Sequence, residues 1–174
     1  MTRVAQFLSI CVFLVSGLAA GAEQHDATLD QPQGEVILTI SGQIARTNGE
    51  GVARFDAAML RSLGQETVKT STLWTEGVQE FTGTPLAAIM EAVGVQDGKI
   101  VATAINAYSV EIPLTDAIEG GALVAYEREG EAMNIRDKGP LWVIYPYDDN
   151  PTYQSAVAYA RSIWQLEKME IVPD

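Results

Sequence analysis

Short apolar runs separated by turn residues dominate the chain, and they predict more strands than helices. Glu35-Val36-Ile37-Leu38-Thr39-Ile40 reads as a first strand that stops at Ser41-Gly42. Asn48-Gly49-Glu50-Gly51 is a turn signal. Asp56 is placed to cap a short helix over Ala57–Leu63, ended by Gly64. Residues 67–73 are rich in β-formers. Thr84-Pro85 opens a second helix with proline at its first position. Leu86, Ile89, Met90 and Val93 share one face of that helix, and Gly94 closes it. Strands are predicted over 100–104, 109–112 and 123–126. Thr115 should cap a helical turn, and Arg128-Glu129-Gly130-Glu131 should form a tight turn. Leu141-Trp142-Val143-Ile144-Tyr145 is continuously apolar, as a central strand would be. Residues 163–172 read as a closing strand pair or an extended edge anchored by Leu166 and Ile171. Many short strands and few short helices in mixed order predict an α+β fold with mixed sheets.

The N-terminus follows a different pattern. Arg3 is a short basic region, residues 4–18 are mostly apolar, and Ala20-Gly21-Ala22 has the small-x-small form of a cleavage site. This pattern predicts a secretory signal peptide over residues 1–22, cut after Ala22. The apolar run is short for a membrane span of about 20 residues. Residues 23–34 are polar, contain Pro32 and read as a flexible leader. One folded domain is predicted over 35–174, exported to a bacterial periplasm.

Composition sharpens this picture mainly through what is scarce. The chain of 174 residues has one cysteine and one histidine. Cys11 lies in the apolar N-terminal run and His25 in the leader, so the predicted domain contains neither residue. That excludes zinc fingers, Ser-His-Asp or Cys-His catalysis, haem ligation by histidine, iron–sulfur clusters and disulfides within the domain. A net charge of −12 argues against nucleic acid and anionic membrane surfaces as partners.

Four segments carry a family likeness, in order. Phe81-Thr82-Gly83-Thr84-Pro85-Leu86 matches F-x-G-x-P-L. Ala104-Ile105-Asn106-Ala107-Tyr108, followed by Ile112-Pro113-Leu114, matches A-x-D/N-x-Y…I-P-L. Leu123-Val124-Ala125-Tyr126 through Gly130, then Lys138-Gly139-Pro140-Leu141-Trp142, matches L-L-A…G…H-G-x-P-L-R. Arg161-Ser162-Ile163-Trp164 matches a basic residue followed by tryptophan. Together they resemble the sulfite-oxidase-fold molybdopterin-binding domain. The resemblance implies a single domain of that fold.

The chain departs from the family at chemically decisive positions. The catalytic members bind molybdenum through a cysteine thiolate just before the tryptophan that precedes F-x-G-x-P-L. Here that stretch is Thr70-Ser71-Thr72-Leu73-Trp74-Thr75, and a hydroxyl is a poor substitute for a soft sulfur ligand. The family histidine is replaced by Lys138 and the family arginine by Trp142. What remains resembles a cysteine-less branch, the periplasmic pterin-binding proteins. That resemblance implies a free reduced pterin as ligand, no molybdenum, and no catalysis. It further implies a report to a membrane sensor, typically the periplasmic part of a protein that makes or degrades cyclic-di-GMP. A molybdopterin-dependent oxidoreductase and a scaffold that has lost its ligand are the alternatives.

A pterin needs a stacking surface, a carboxylate or carbonyls for its N–H groups, and polar partners for its carbonyl and side chain. The aromatic-rich stretch from Trp142 to Trp164, with Tyr145, Tyr147, Tyr153 and Tyr159, can supply rings. The candidate ligand-binding residues are Thr72, Trp74, Asn106, Tyr108, Asp148, Tyr153, Arg161 and Trp164. Each has a plain structural alternative. Trp142 is core or pocket wall, Asn106 a ligand contact or a turn residue, and Asp148 and Asp149 carboxylate partners or solvated acids. Arg161 is a ligand anchor or an ion-pair partner. Lys138 reads as a solvated turn residue, and Glu127 to Glu131 as a solvated hairpin or a docking surface for a basic partner.

Overall fold

A computed structural model describes residues 28–174. The predicted signal peptide, its cleavage site, Cys11 and His25 lie outside the described residues. Two five-stranded sheets and three short helices make one α+β domain. The first sheet contains β1 (Val36–Gly42), β2 (Ala53–Asp56), β5 (Lys99–Ala104), β6 (Ser109–Pro113) and β10 (Leu166–Val172), in the order β2-β1-β10-β5-β6. All its neighbours are antiparallel except β1 and β10, which run parallel with Thr39 opposite Lys168. The second sheet runs β3 (Glu66–Ser71), β4 (Val78–Pro85), β7 (Leu123–Arg128), β8 (Glu131–Ala132), and β9 (Trp142–Ile144) also pairs with β7.

Local chemistry accounts for the helices. Helix α1 (Ala57–Ser62) starts where the Asp56 carboxylate accepts the Met59 N–H at 2.8 Å. The other Asp56 oxygen accepts the N–H groups of Gln33 and Gly34, both at 2.8 Å. Leu29 and Gln31 also donate to backbone carbonyls of the Thr47–Asn48 turn. Residues 28–34, read from composition as a flexible leader, are therefore tied to the domain. Hydrogen bonds led by that from Met59 hold the Asp56 carboxyl below its ordinary pKa. A lowered folded-state pKa stabilises the fold above the ordinary aspartate range, and this contribution is lost as pH falls through it. Asp56→Asn keeps the cap but removes the charge. It should lower stability at neutral pH and flatten the acid limb of a pH-stability curve, measured by urea denaturation. An unchanged acid limb would refute this role.

Helix α2 (Leu86–Val93) buries Leu86, Ile89, Met90 and Val93, and Gly94 ends it in the left-handed conformation at φ 71°. Pro85 occupies the cap position rather than the first helical one, because β4 runs directly into the helix. Gly83 sits where the β4 backbone lies tight against Val124 and Ala125 of β7. A Cβ there would lie 2.3 Å from the Val124 carbonyl oxygen, so this position of the F-x-G-x-P-L segment admits only glycine. Thr115 lies inside a 3-10 turn (Leu114–Asp116) and does not cap it. Helix α3 (Ala156–Arg161), not predicted from sequence, is capped by Ser155, whose hydroxyl accepts the Ala158 N–H.

Two strands take places other than those predicted. The apolar run around β9 is buried but pairs with β7 alone, and its other side is covered by the Ile163–Trp164 segment. Strand β10, read as an edge or closing pair, is the centre of the first sheet. Leu166, Met169 and Ile171 point into the core, while Glu167, Lys168 and Glu170 make the strand look half-solvated in sequence. Among the described residues, no helix is long and apolar enough to cross a membrane.

Candidate functional site

Four chain segments converge on one cleft of about 840 Å³. The β3–β4 loop brings Leu73 and Trp74. The β5–β6 turn brings Asn106 and Tyr108. Helix α3 contributes Ala156, Tyr159 and Ala160, and the segment before β10 contributes Ser162, Ile163 and Trp164. Of the candidates named from sequence, the structure brings Trp74, Asn106, Tyr108 and Trp164 together here. Tyr159, one of the rings in the aromatic-rich stretch but not among the candidate ligand-binding residues, joins them.

The cleft wall is an aromatic cluster. Trp74 lies 5.6 Å from Trp164, 5.8 Å from Trp142 and 6.0 Å from Tyr159, ring centre to ring centre. All three pairs are tilted or edge-on, as the ring quadrupoles favour. Trp142 is fully buried behind them, edge-on to Phe81 at 5.4 Å, and its indole N–H donates to the Ser162 carbonyl at 3.1 Å. Trp142 is therefore the core support of the wall. Trp164 (37% exposed) and Tyr108 (57% exposed) keep faces open to solvent, which a ligand can cover. Lys138, read from sequence as solvated, is half-buried with its ammonium 4.6 Å from the Trp164 ring centre and 5.5 Å from that of Trp142. A cation over an indole face is a favourable contact.

The loop presenting Trp74 is built by two residues that had been candidates for direct ligand contact. The Thr72 hydroxyl accepts the Trp74 N–H at 3.0 Å and bonds Thr75 at 2.8 Å. The Asp148 carboxylate accepts both the N–H and the hydroxyl of Ser71, each at 2.7 Å. Thr70 is buried, and its hydroxyl accepts the Asp148 N–H at 3.1 Å. These bonds clasp the loop to the β9–α3 connection. Thr72 and Asp148 thus position Trp74 and do not line the cleft.

Tyr153 and Arg161 lie elsewhere. Tyr153 packs on Tyr145 at 5.0 Å, and burial raises its hydroxyl pKa. Arg161 pairs with Asp116 at 3.0 Å and lines a neighbouring hollow between α3 and β6. Asp116 also accepts the Tyr145 hydroxyl at 2.8 Å. Burial, then Asp116, pushes the Tyr145 pKa upward, and burial pushes Tyr147 up to about 12. Sequence could show the Arg161 charge but not that Asp116 stands opposite it.

The polar residues lining the cleft are few: Asn106, Ser162, Tyr108 and Tyr159, and the Ser162 hydroxyl is already bonded to the Tyr147 hydroxyl and the Ala158 carbonyl. The Asn106 side-chain oxygen accepts the Tyr108 N–H at 3.1 Å, which shapes the turn. No carboxylate lines the cleft; Asp149 borders a different, small hollow. Another hollow, of about 750 Å³, is walled by aliphatic side chains with Glu35, Arg136 and Glu167, and has no aromatic ring. The aromatic cleft is the better match for a flat heteroaromatic molecule.

The family model described as oxidoreductase molybdopterin binding domain matches residues 50–148. That span holds Trp74, Asn106 and Tyr108 and stops before Tyr159 and Trp164. Among solved structures, the chain is similar to the sulfane dehydrogenase SoxCD from Paracoccus pantotrophus, with a TM-score of 0.59 and 16% identity. The similarity covers 79% of this chain and 38% of that one. At that identity the likeness carries the fold alone, and this chain spans well under half of the other's length. No curated protein matches it.

Proposed function

The chain belongs to the oxidoreductase molybdopterin-binding domain family, whose model matches more than half of it, and from that premise we propose that it binds a free reduced pterin without catalysing a reaction. The observation that carries this reading is the aromatic cleft. Trp74, Trp164, Tyr108 and Tyr159 offer ring surface for a pterin, and Asn106 with the tyrosine hydroxyls offers hydrogen bonds.

The donor set supports binding over metal chemistry. Thiolate ligation of molybdenum needs a cysteine in the loop before Trp74, and Thr70, Ser71 and Thr72 stand there. Their hydroxyls are already engaged in clasping the loop. Among the described residues, this loop does not fit a thiolate-held molybdenum. The indole of Trp142, where the family has an arginine, is buried and closes the wall with carbon.

In the wider reading the protein works in the periplasm and transmits pterin occupancy to the periplasmic domain of a membrane enzyme of cyclic-di-GMP metabolism, or to another membrane sensor. The predicted signal peptide supports export, and the resemblance to the cysteine-less branch supports the partner. The opposing reading, a molybdopterin-dependent oxidoreductase, has the family's name behind it.

One experiment separates them. Protein purified from the periplasm and freed of bound small molecules is titrated anaerobically with a tetrahydropterin while tryptophan emission is followed, and an untreated parallel sample is analysed for molybdenum. Saturable quenching with no stoichiometric molybdenum is expected. Stoichiometric molybdenum would establish the oxidoreductase reading instead, and no quenching would reject the pterin site.

A further inference from the structure

Behind the cleft the rings do not stop. Trp164 lies 5.6 Å from Trp74, Trp74 6.0 Å from Tyr159, Tyr159 5.0 Å from Tyr147, and Tyr147 6.2 Å from Tyr145. Each step falls within the range of direct ring–ring contact. The chain begins at the solvent-exposed edge of Trp164 and ends at Tyr145, which is fully buried. At that end the Tyr145 hydroxyl donates to the Asp116 carboxylate at 2.8 Å. Asp116 is itself buried, and the same carboxylate oxygen that accepts Tyr145 also accepts Arg161 at 3.0 Å, while its other oxygen lies 3.4 Å from that guanidinium.

The inner part of the ring chain and its buried acceptor lie outside ligand binding, since neither Tyr145, Tyr147 nor Asp116 lines the cleft. They do have the parts of a redox relay. Oxidising a tyrosine by one electron makes its phenolic proton strongly acidic, so the oxidation proceeds readily only where a base is in hydrogen-bond reach. Of these rings, only Tyr145 has a carboxylate as its hydrogen-bond partner among the described residues. Tyr147 shares its hydroxyl's hydrogen bond with the Ser162 hydroxyl, a poor base, and the indoles of Trp74 and Trp164 have no carboxylate partner among the described residues.

We propose that Trp164, Trp74, Tyr159 and Tyr147 conduct oxidising equivalents from the cleft to Tyr145, where Asp116 takes the proton. The steps balance. A one-electron oxidant of the oxyl-radical class takes an electron from Trp164 and is itself reduced, leaving an indole radical cation. One electron then passes from Tyr145 through the intervening rings to that cation. The Tyr145 O–H bond breaks, its proton moves to the Asp116 carboxylate, and the products are neutral Trp164, a Tyr145 phenoxyl radical and protonated Asp116. A one-electron donor in the cleft, of the ene-diol or reduced-heteroaromatic class, returns the electron by the same path, and Asp116 returns the proton. The relay keeps oxidative damage off the exposed indoles that form the cleft wall, and it stands whether or not a pterin is the ligand.

The test uses ligand-free protein carrying Tyr108→Phe, which removes the exposed tyrosine at the cleft mouth. Tris-bipyridine ruthenium, oxidised by a flash in the presence of an electron acceptor, supplies the oxidant. Freeze-quench EPR then identifies the radical. A tyrosyl radical is expected to replace the tryptophan radical. Tyr145→Phe should abolish the tyrosyl signal and leave the tryptophan radical to persist. Asp116→Asn should lower the tyrosyl yield. Tyr159→Leu, which leaves the Tyr145–Asp116 pair untouched, should likewise stall the radical on tryptophan, and it keeps the test open if a change at the buried pair impairs folding. A tyrosyl signal unchanged in Tyr145→Phe or in Tyr159→Leu would overturn the proposal. Failure of pterin titration leaves this outcome unaffected, so the two readings fail separately.

Discussion

Truncating Trp142 to alanine should destabilise the domain by about 3–5 kcal/mol, the usual cost of emptying a large buried aromatic site. Trp142 is fully buried on β9 and touches rings from three other segments: Phe81, Trp74 and Trp164. Its indole N–H satisfies the Ser162 carbonyl. The change therefore removes apolar contacts, leaves that carbonyl unpartnered, and takes away a face on which Lys138 rests. Domain stability is commonly only about 5–15 kcal/mol, so the loss is large. Urea denaturation measures it. A loss below about 1 kcal/mol, the range of ordinary surface changes and mild core swaps, would mean that the wall is not anchored as described.

Trp74→Ala should behave in the opposite way: mild for the fold, severe for the ligand. Trp74 is only half-buried and sits on a loop whose shape comes from Thr72 and Asp148 hydrogen bonds that the substitution keeps. Losing a ring that covers a flat ligand forfeits roughly 1.5–3 kcal/mol of apolar burial, which is about ten- to a hundredfold in affinity. Titration of a tetrahydropterin by calorimetry, alongside a melting curve, checks both halves. Unchanged affinity with an intact fold would place the ligand outside this cleft.

The parts of this architecture that are encoded locally were legible in the sequence. Asp56 ahead of Ala57 and Gly94 behind Val93 announce helix ends because capping acts within one turn. Gly83 belongs to a motif, and the close approach of β4 to β7 gives its physical reason. Positions fixed by distant pairing were not legible. β10 alternates charged and apolar residues, as an edge strand does, yet it is central because β1 and β5 flank it. β9 is uniformly apolar because other segments cover it, not because it has strands on both sides. α3 is only six residues long, too short for a periodic apolar pattern, although Ser155 before an alanine-rich run is the signal that could have found it.

The same division holds in the candidate site. Trp74, Asn106, Tyr108 and Trp164 were named from three stretches, the loop before F-x-G-x-P-L, the A-x-D/N-x-Y segment and the segment of a basic residue followed by tryptophan, and the fold brings them to one cleft. Thr72 and Asp148 were named for the chemistry of their side chains, but that chemistry is directed at the neighbouring backbone and Ser71. Arg161 is neutralised by Asp116, and Tyr153 packs on Tyr145. Polar and charged side chains have many possible partners, and only the fold selects among them. Lys138 is the converse case, since a tight turn presents its ammonium to two indoles that sequence could not place beside it.

The proposed function requires this family member to hold a free pterin and no thiolate-bound molybdenum cofactor. The most direct measurement is native mass spectrometry of protein purified from its own periplasm, with the released small molecule identified and molybdenum quantified in the same sample. One free pterin per chain and no stoichiometric molybdenum are expected. A bound molybdenum cofactor at one per chain would contradict the proposed function.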